Sequence, residues 1–253
     1  MRIDINCDMG ESFGRYTLGH DEALMPLITS ANIACGLHAG DPVVMERTIR
    51  LAHEAAVAIG AHPGLPDLQG FGRRRLDLSP EESEAFVLYQ VGALAGFARA
   101  SGVELNHVKP HGALYNQAAV DHELARAIAR GVARFSRNLI LVGLAGSALV
   151  EAGIEVGLPV ASEGFPERGY TAAGTLLPRG QPGAIIAGPE QAAENALRLA
   201  REGISLPSAG GTQRVPIDTL CVHGDNPNAE QILRAIRTRL AENGVGVATL
   251  MAR

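Results

Sequence analysis

The 253-residue sequence predicts an α/β fold, an irregular TIM-like (β/α) barrel of about seven parallel strands formed by residues 1–253 as a single domain. Three observations lead there. A short apolar run followed by helical periodicity recurs seven times, with no linker and no shift in composition between units. The polar residues follow the carboxyl ends of those runs, the edge where parallel α/β proteins bind ligands. Neither a Gly-x-Gly-x-x-Gly dinucleotide turn nor a Gly-x-x-x-x-Gly-Lys phosphate loop occurs, which favours a barrel over an open nucleotide-binding sheet.

Taken in order, Ile3, Ile5 and Cys7 alternate with Asp4, Asn6 and Asp8, the period of two of a strand with one polar face. The Asp-x-Asn-x-Asp spacing resembles a calcium loop, but its glycine comes one place late and Arg15 stands where the closing glutamate belongs, so that reading is rejected. Residues 30–35 form a second strand, after which Asp41-Pro42 caps a helix that buries Met45, Ile49, Ala52 and Ala56. The third strand, 57–62, runs into a long polar loop carrying Arg73, Arg74 and Arg75, read as a solvated charge run that an anionic ligand would also suit. Ser79-Pro80-Glu81-Glu82 is a capping box, and Val87, Val91, Leu94 and Ala98 mark the buried face of its helix.

A fourth strand spans 103–108, a helix 121–135, a fifth strand 138–143, a short helix 147–152 and a sixth strand 158–162. Residues 172–183, rich in glycine and proline, read as loop, and Gly188-Pro189 opens a helix that closes at Gly203. Residues 205–213 again read as loop and 215–222 as the seventh strand. The last helix buries Ile232, Ile236 and Leu240 and stops at Asn243-Gly244.

Composition excludes several functions. The net charge is −5 with no basic stripe, so nucleic acid is not an expected partner. Acidic residues near the start argue against a signal peptide, and no window is apolar for long enough to span a bilayer, so no membrane partner and a cytoplasmic location are expected. Cys7, Cys35 and Cys221 lack any Cys-x-x-Cys spacing and are expected to be reduced and buried.

Lys109 is the one lysine among 22 basic residues. A site that refuses guanidinium calls for a compact point charge or a nucleophile. If the barrel closes, Asp4, Asn6, Asp8, His38, His62, Lys109, His111, Glu163, Arg168, His223 and Asp225 share one edge, with Tyr115 and Asn116 beside the lysine. Four strands each followed by a histidine exceed what packing needs, whereas His20 reads as a loop residue and His53 and His122 as helix-surface residues.

Three chemistries fit. Water could open an activated amide, with Asp8 or a histidine as general base and Lys109 and Arg168 holding a carboxylate or phosphate. A metal could assist hydrolysis, with Asp8, His38, His62 and His111 as the candidate ligands, although no short His-Glu-x-x-His spacing marks them. Lys109 could also serve as a Schiff-base nucleophile.

Five blocks carry a family resemblance: Asp4-x-Asn6-x-Asp8-x-Gly10-Glu11, the run from Ser30 to Asp41 through His38, Gly60-Ala61-His62-Pro63, the run from Val108 to Asn116, and Cys221-Val222-His223-Gly224-Asp225. In order along the chain, they resemble the LamB/YcsF family, the A subunits of prokaryotic 5-oxoprolinases. The resemblance implies a barrel related to polysaccharide deacetylases. It also implies ATP-dependent hydrolysis of 5-oxoproline to glutamate, with ATP as co-substrate and separate B and C subunits as partners. On that reading Asp8, His38, His62, Lys109 and His111 are catalytic, and Asp4, Asn6, Tyr115, Asn116, Glu163, Arg168, His223 and Asp225 bind substrate. A stand-alone metal-dependent deacetylase or amidase on the same barrel is the alternative. The chain departs from the family at Phe165-Pro166-Glu167-Arg168, where Phe-Ala-Asp-Arg is common; the acid is kept on a longer arm.

Overall fold

The computed structural model describes residues 1–208 and 211–251. Its strands are β1 (Arg2–Met9), β2 (Ser30–Ala34), β3 (Ala58–His62), β4 (His107–Val108), β5 (Ile140–Leu144), β6 (Val160–Gly164), β7 (Ile204–Ser208), β8 (Gly211–Val215), β9 (Thr219–Val222) and β10 (Gly246–Val247). The helices are α1 (Asp21–Leu24), α2 (Pro42–Glu54), α3 (Pro80–Ala100), α4 (Gly112–Ala118), α5 (His122–Phe135), α6 (Ala148–Glu155), α7 (Pro189–Glu202) and α8 (Ala229–Glu242), with a 3-10 turn at Met25–Leu27.

Seven strands close a parallel barrel in the order β1-β2-β3-β4-β5-β6-β9, with β9 pairing back onto β1. β1 is the seam. It pairs β2 through Asn6–Ser30 to Met9–Ile33, β9 through Asp4–Thr219 to Cys7–Val222, and, at its start, β10 through Arg2–Gly246 and Ile3–Val247. Its alternation separates two environments: Ile3, Ile5, Cys7 and Met9 join the apolar core, while Asp4, Asn6 and Asp8 enter a polar network with residues of other barrel strands.

The helix starts follow from their caps. The Asp41 side chain accepts from Val43 and Val44 N–H, Ser79 and Glu82 form the reciprocal capping box of α3, and Asp121 accepts from Glu123 and Leu124 N–H at the start of α5.

Several expectations differ from what is observed. Residues 205–213 were expected as loop, but β7 and β8 form an antiparallel hairpin over much of that stretch; Pro207 in one arm and exposure of most of both arms mask the alternation. The expected seventh strand at 215–222 is split, because Pro216 lacks an N–H to continue a ladder and the barrel strand starts at Thr219. β4 shrinks to two residues, and α4, which follows the lysine directly, had no sequence signal because it opens on Gly112 at φ +55°. Ala56 lies past α2 with φ 55°, outside the buried face expected of it.

Candidate functional site

The barrel interior is a column of polar side chains. At its base, Asp4 accepts from Thr29 and Ser30 at 2.7 Å each and from Thr219 at 2.5 Å, so both oxygens are engaged. One layer up, Asn6 donates to Thr219 at 2.6 Å and to Glu163 at 2.9 Å, and its oxygen accepts from Asn32 at 2.7 Å. Asn32 also donates to Asp8 at 2.9 Å and accepts from His107 Nε2 at 2.8 Å. Burial, then the charge of Lys109, pushes His107 down to about 3, so it sits there neutral.

Lys109 crowns the column. Its Nζ lies 2.8 Å from Glu163, 3.1 Å from both Asp8 and Asn6, and 3.0 Å from Cys221 Sγ, with 3% of the side chain exposed. Burial alone would lower its pKa, but Asp8, Cys221 and Glu163 outweigh that and raise it well above the ordinary value. Burial would likewise raise Asp8, but His62 and Lys109 hold it well below the usual carboxylate range. The amine is therefore a fixed cation at neutral pH, which removes the neutral nucleophile a Schiff base needs. Tyr115 donates to the second Glu163 oxygen at 2.6 Å.

Around this charge opens a cavity of about 560 Å³. Of the residues expected at this edge, Asp8, His62, Lys109, His111, Tyr115, Asn116, Arg168 and His223 line it. Asp4, Asn6 and Glu163 do not; they belong to the column beneath, where their oxygens and amide are already hydrogen-bonded. Asp225 pairs with Arg73 at 2.7 Å, so one of the three loop arginines lines the cavity while Arg74 and Arg75 pair with Asp67 and Asp77.

On one wall stand the histidines of β3 and the β4–α4 turn. His62 Nδ1 lies 2.7 Å from the Lys109 carbonyl, His111 Nε2 2.8 Å from the Phe71 carbonyl, and His62 Nε2 3.0 Å from His111 Nδ1. His38 stacks on His111 with centroids 3.8 Å apart. Glu11, just past the end of β1 and not among the candidate site residues expected from the sequence, approaches His111 to 3.5 Å and His38 to 3.8 Å. Burial, then Asp8 and Asp225, raises Glu11 well above its ordinary value. Glu11, His38, His62 and His111 form one group able to hold a metal ion, and Asp8, Cys221 and His223 a second; within each, the ligand atoms lie within 4.8 Å of one another. Asp8 thus falls outside the set that unites the three histidines expected as its fellow ligands.

On another wall Glu167 holds His223: it takes His223 Nδ1 in a short contact, the His223 backbone N–H at 3.2 Å and Asn226 at 2.9 Å. Burial would raise Glu167, but the bond from His223 lowers it. Arg168 donates to the Ala184 carbonyl at 3.0 Å and the Leu177 carbonyl at 2.6 Å, clipping the 172–183 loop over the cavity. Burial, then Arg179, brings it down to about 10, still cationic at neutral pH. Arg179, which the sequence reading did not single out, lines the mouth from that loop.

The LamB/YcsF family profile matches residues 3–253. The chain belongs to the LamB/YcsF family. A LamB/YcsF relative from Symbiobacterium thermophilum, named as the A subunit of 5-oxoprolinase, is 58% identical over 246 residues, covering 97% of this chain and 94% of its own. One of the same name from Pyrococcus abyssi is 55% identical over 250 residues, covering 99% and 98%. The crystal structure of a lactam utilization protein from Thermus thermophilus superposes with a TM-score of 0.90 at 50% identity, covering 98% of this chain and 100% of that one. The seven-stranded barrel expected from the sequence is the fold observed, and this chain shares its fold with that lactam utilization protein. Among the described residues no helix is long and apolar enough to cross a membrane.

Proposed function

We propose that this chain is the A subunit of an ATP-dependent 5-oxoprolinase, hydrolysing 5-oxoproline to glutamate with separate B and C subunits as partners. The names carried by its relatives support that reading. The observation that carries the chemistry is the floor of the cavity: a permanently charged Lys109, an ionised Asp8, and an imidazole nitrogen of His223 within 4.8 Å of an Asp8 oxygen.

A lactam resists water because its nitrogen shares electrons with the carbonyl. Moving the γ-phosphoryl group of ATP onto the lactam oxygen, a step assigned to the partner subunits, releases ADP and leaves the ring carbon electrophilic. Water then adds to that carbon. The C–N bond breaks with the nitrogen taking up a proton, and a second water releases phosphate from the remaining acyl phosphate.

The proton acceptor for the first water is His223. Its Nδ1–H is engaged by Glu167, which leaves Nε2 as the basic nitrogen. Asp8, held ionised by its neighbours, is a weak base and a strong acceptor, suited to aligning the water. Lys109 supplies fixed positive potential near the oxygen that gains charge, and Arg73 and Arg179 at the cavity mouth suit the phosphoryl group. If a metal occupies the histidine wall it adds Lewis-acid character there, and Glu11, His38, His62 and His111 are the residues that would hold it.

Reconstitution with the two partner subunits and ATP, measuring glutamate release from 5-oxoproline, tests the reading. Lys109→Arg should lose at least about 100-fold in rate, since a larger cation cannot fit among four fixed acceptors. Wild-type release from that variant, or no release from the wild type, would overturn it. Hydrolysis of acetylated amides by the isolated chain, abolished by chelation, would favour the deacetylase alternative.

A further inference from the structure

The two imidazoles of the histidine wall are locked in tautomers that should repel. A carbonyl oxygen only accepts, so the 2.7 Å contact with the Lys109 carbonyl places the hydrogen of His62 on Nδ1 and a lone pair on Nε2. The 2.8 Å contact with the Phe71 carbonyl places the hydrogen of His111 on Nε2 and a lone pair on Nδ1. With both rings neutral those lone pairs face each other at 3.0 Å, and neither ring has a hydrogen to offer the other. Beside them, Glu11 Oε1 and both ring nitrogens of His38 are buried without a hydrogen bond. Buried polar atoms that lack partners are costly, and here they gather on one wall, around one point.

We propose that Glu11, His62 and His111, completed by His38, form a binding site for one divalent transition-metal ion of the zinc type. A cation between the opposed lone pairs turns their repulsion into two bonds, and the carbonyls behind each ring serve as the outer partners that orient metal-ligating histidines. The spacing agrees. Tetrahedral zinc with bonds of about 2.0–2.1 Å separates its ligand atoms by about 3.3 Å, and the observed separations are 3.0 Å for His62–His111, 3.5 Å for His111–Glu11 and 3.8 Å for His38–Glu11. Imidazole nitrogens with a single carboxylate suit zinc or its neighbours rather than calcium or magnesium, which take oxygen ligands.

Asp8 comes within 3.4 Å of His62 Nε2 but is not in this set, because its Oδ1 already accepts from Lys109 and Asn32 at 3.1 and 2.9 Å. His38 lies parallel to His111, within 5°, so its ring must turn to aim a nitrogen at the ion; no hydrogen bond holds either nitrogen in place. Room for the ring comes from Gly64, where a Cβ would run into His38 Nδ1.

The inference is independent of the oxoprolinase reading, because metal binding is measured on this chain alone and either can fail without the other. The full chain is stripped with a chelator and titrated with Zn²⁺ against a chromophoric competitor, and bound metal and the unfolding midpoint are read together. About one equivalent should bind and raise the midpoint. Glu11→Gln and His111→Ala should each weaken binding at least about tenfold, while His122→Ala, on the surface, should not. Should a variant fail to fold, Co²⁺ added to the wild-type chain provides the second measurement, a visible absorption of tetrahedral intensity being expected. Absence of binding by the wild type, a Co²⁺ spectrum of the six-coordinate aqueous type, or unchanged affinity in a folded Glu11→Gln variant would overturn the proposal and assign the two nitrogens a shared proton instead.

Discussion

Lys109 is held by size as much as by charge. Glu163, Asp8, Asn6 and Cys221 all lie within 3.1 Å of its nitrogen, so removing the charge leaves carboxylates buried without their counter-ion. Lys109→Met should therefore destabilise the fold by about 3–5 kcal/mol, measured by urea unfolding. A loss below about 1 kcal/mol would mean the carboxylates find other partners. Glu167 is a positioning residue, acting through His223. In the reconstituted enzyme Glu167→Gln should lower kcat about 10–100-fold with KM little changed, and Glu167→Asp should recover part of it; a pure KM effect would show that Glu167 acts on substrate binding instead. His107 gives a pH signature. With a folded pKa of about 3 against roughly 6.5 unfolded, the unfolded chain binds the extra proton, so this contribution is complete above about pH 6.5 and is lost as pH falls toward 3. In the metal-free chain, His107→Gln should flatten the fall in unfolding free energy between pH 7 and 5 by up to about 1.4 kcal/mol per unit. An unchanged slope would show that His107 is not the group titrating.

At the scale of elements, β3 and β4 meet through the absence of a side chain. A Cβ on Gly60 would overlap the His107 ring, so Gly60→Ala should cost about 3 kcal/mol, and much less when His107→Ala is already present. Additive costs would show that the two positions do not press on each other. The same elements show what was legible beforehand. Caps at Asp41 and Ser79 and the periodic helices behind them are local signals, legible in the sequence without the fold, whereas the cap at Asp121 shows only in the structure. The β7–β8 hairpin was missed because its largely exposed arms impose no alternation, and α4 because it opens on glycine. Lys109 stood out by being the lone lysine. Glu11 and His107 did not, since one looked like the end of a strand and the other like its interior; their roles arise from side chains on other strands.

For the molecule as a whole, the closed barrel is expected from repetition of one unit, but the side chains that its closure brings together are not. Asp4 and Thr219 are 215 residues apart, and only their pairing shows that the polar face of β1 turns inward to a network rather than outward to water. That seam also governs how the protein is made. During synthesis β1 emerges first, yet its β9 edge stays open until residues 219–222 arrive, roughly 10–40 s later at ordinary elongation rates. Throughout that interval the nascent chain carries an unpaired strand edge and an acidic, half-built column. Ribosome-bound chains stopped before Thr219 should therefore recruit holding chaperones and resist compaction, and chains long enough to expose β9 should release them; the last strand to be translated into the barrel is the one that ends its dependence on help.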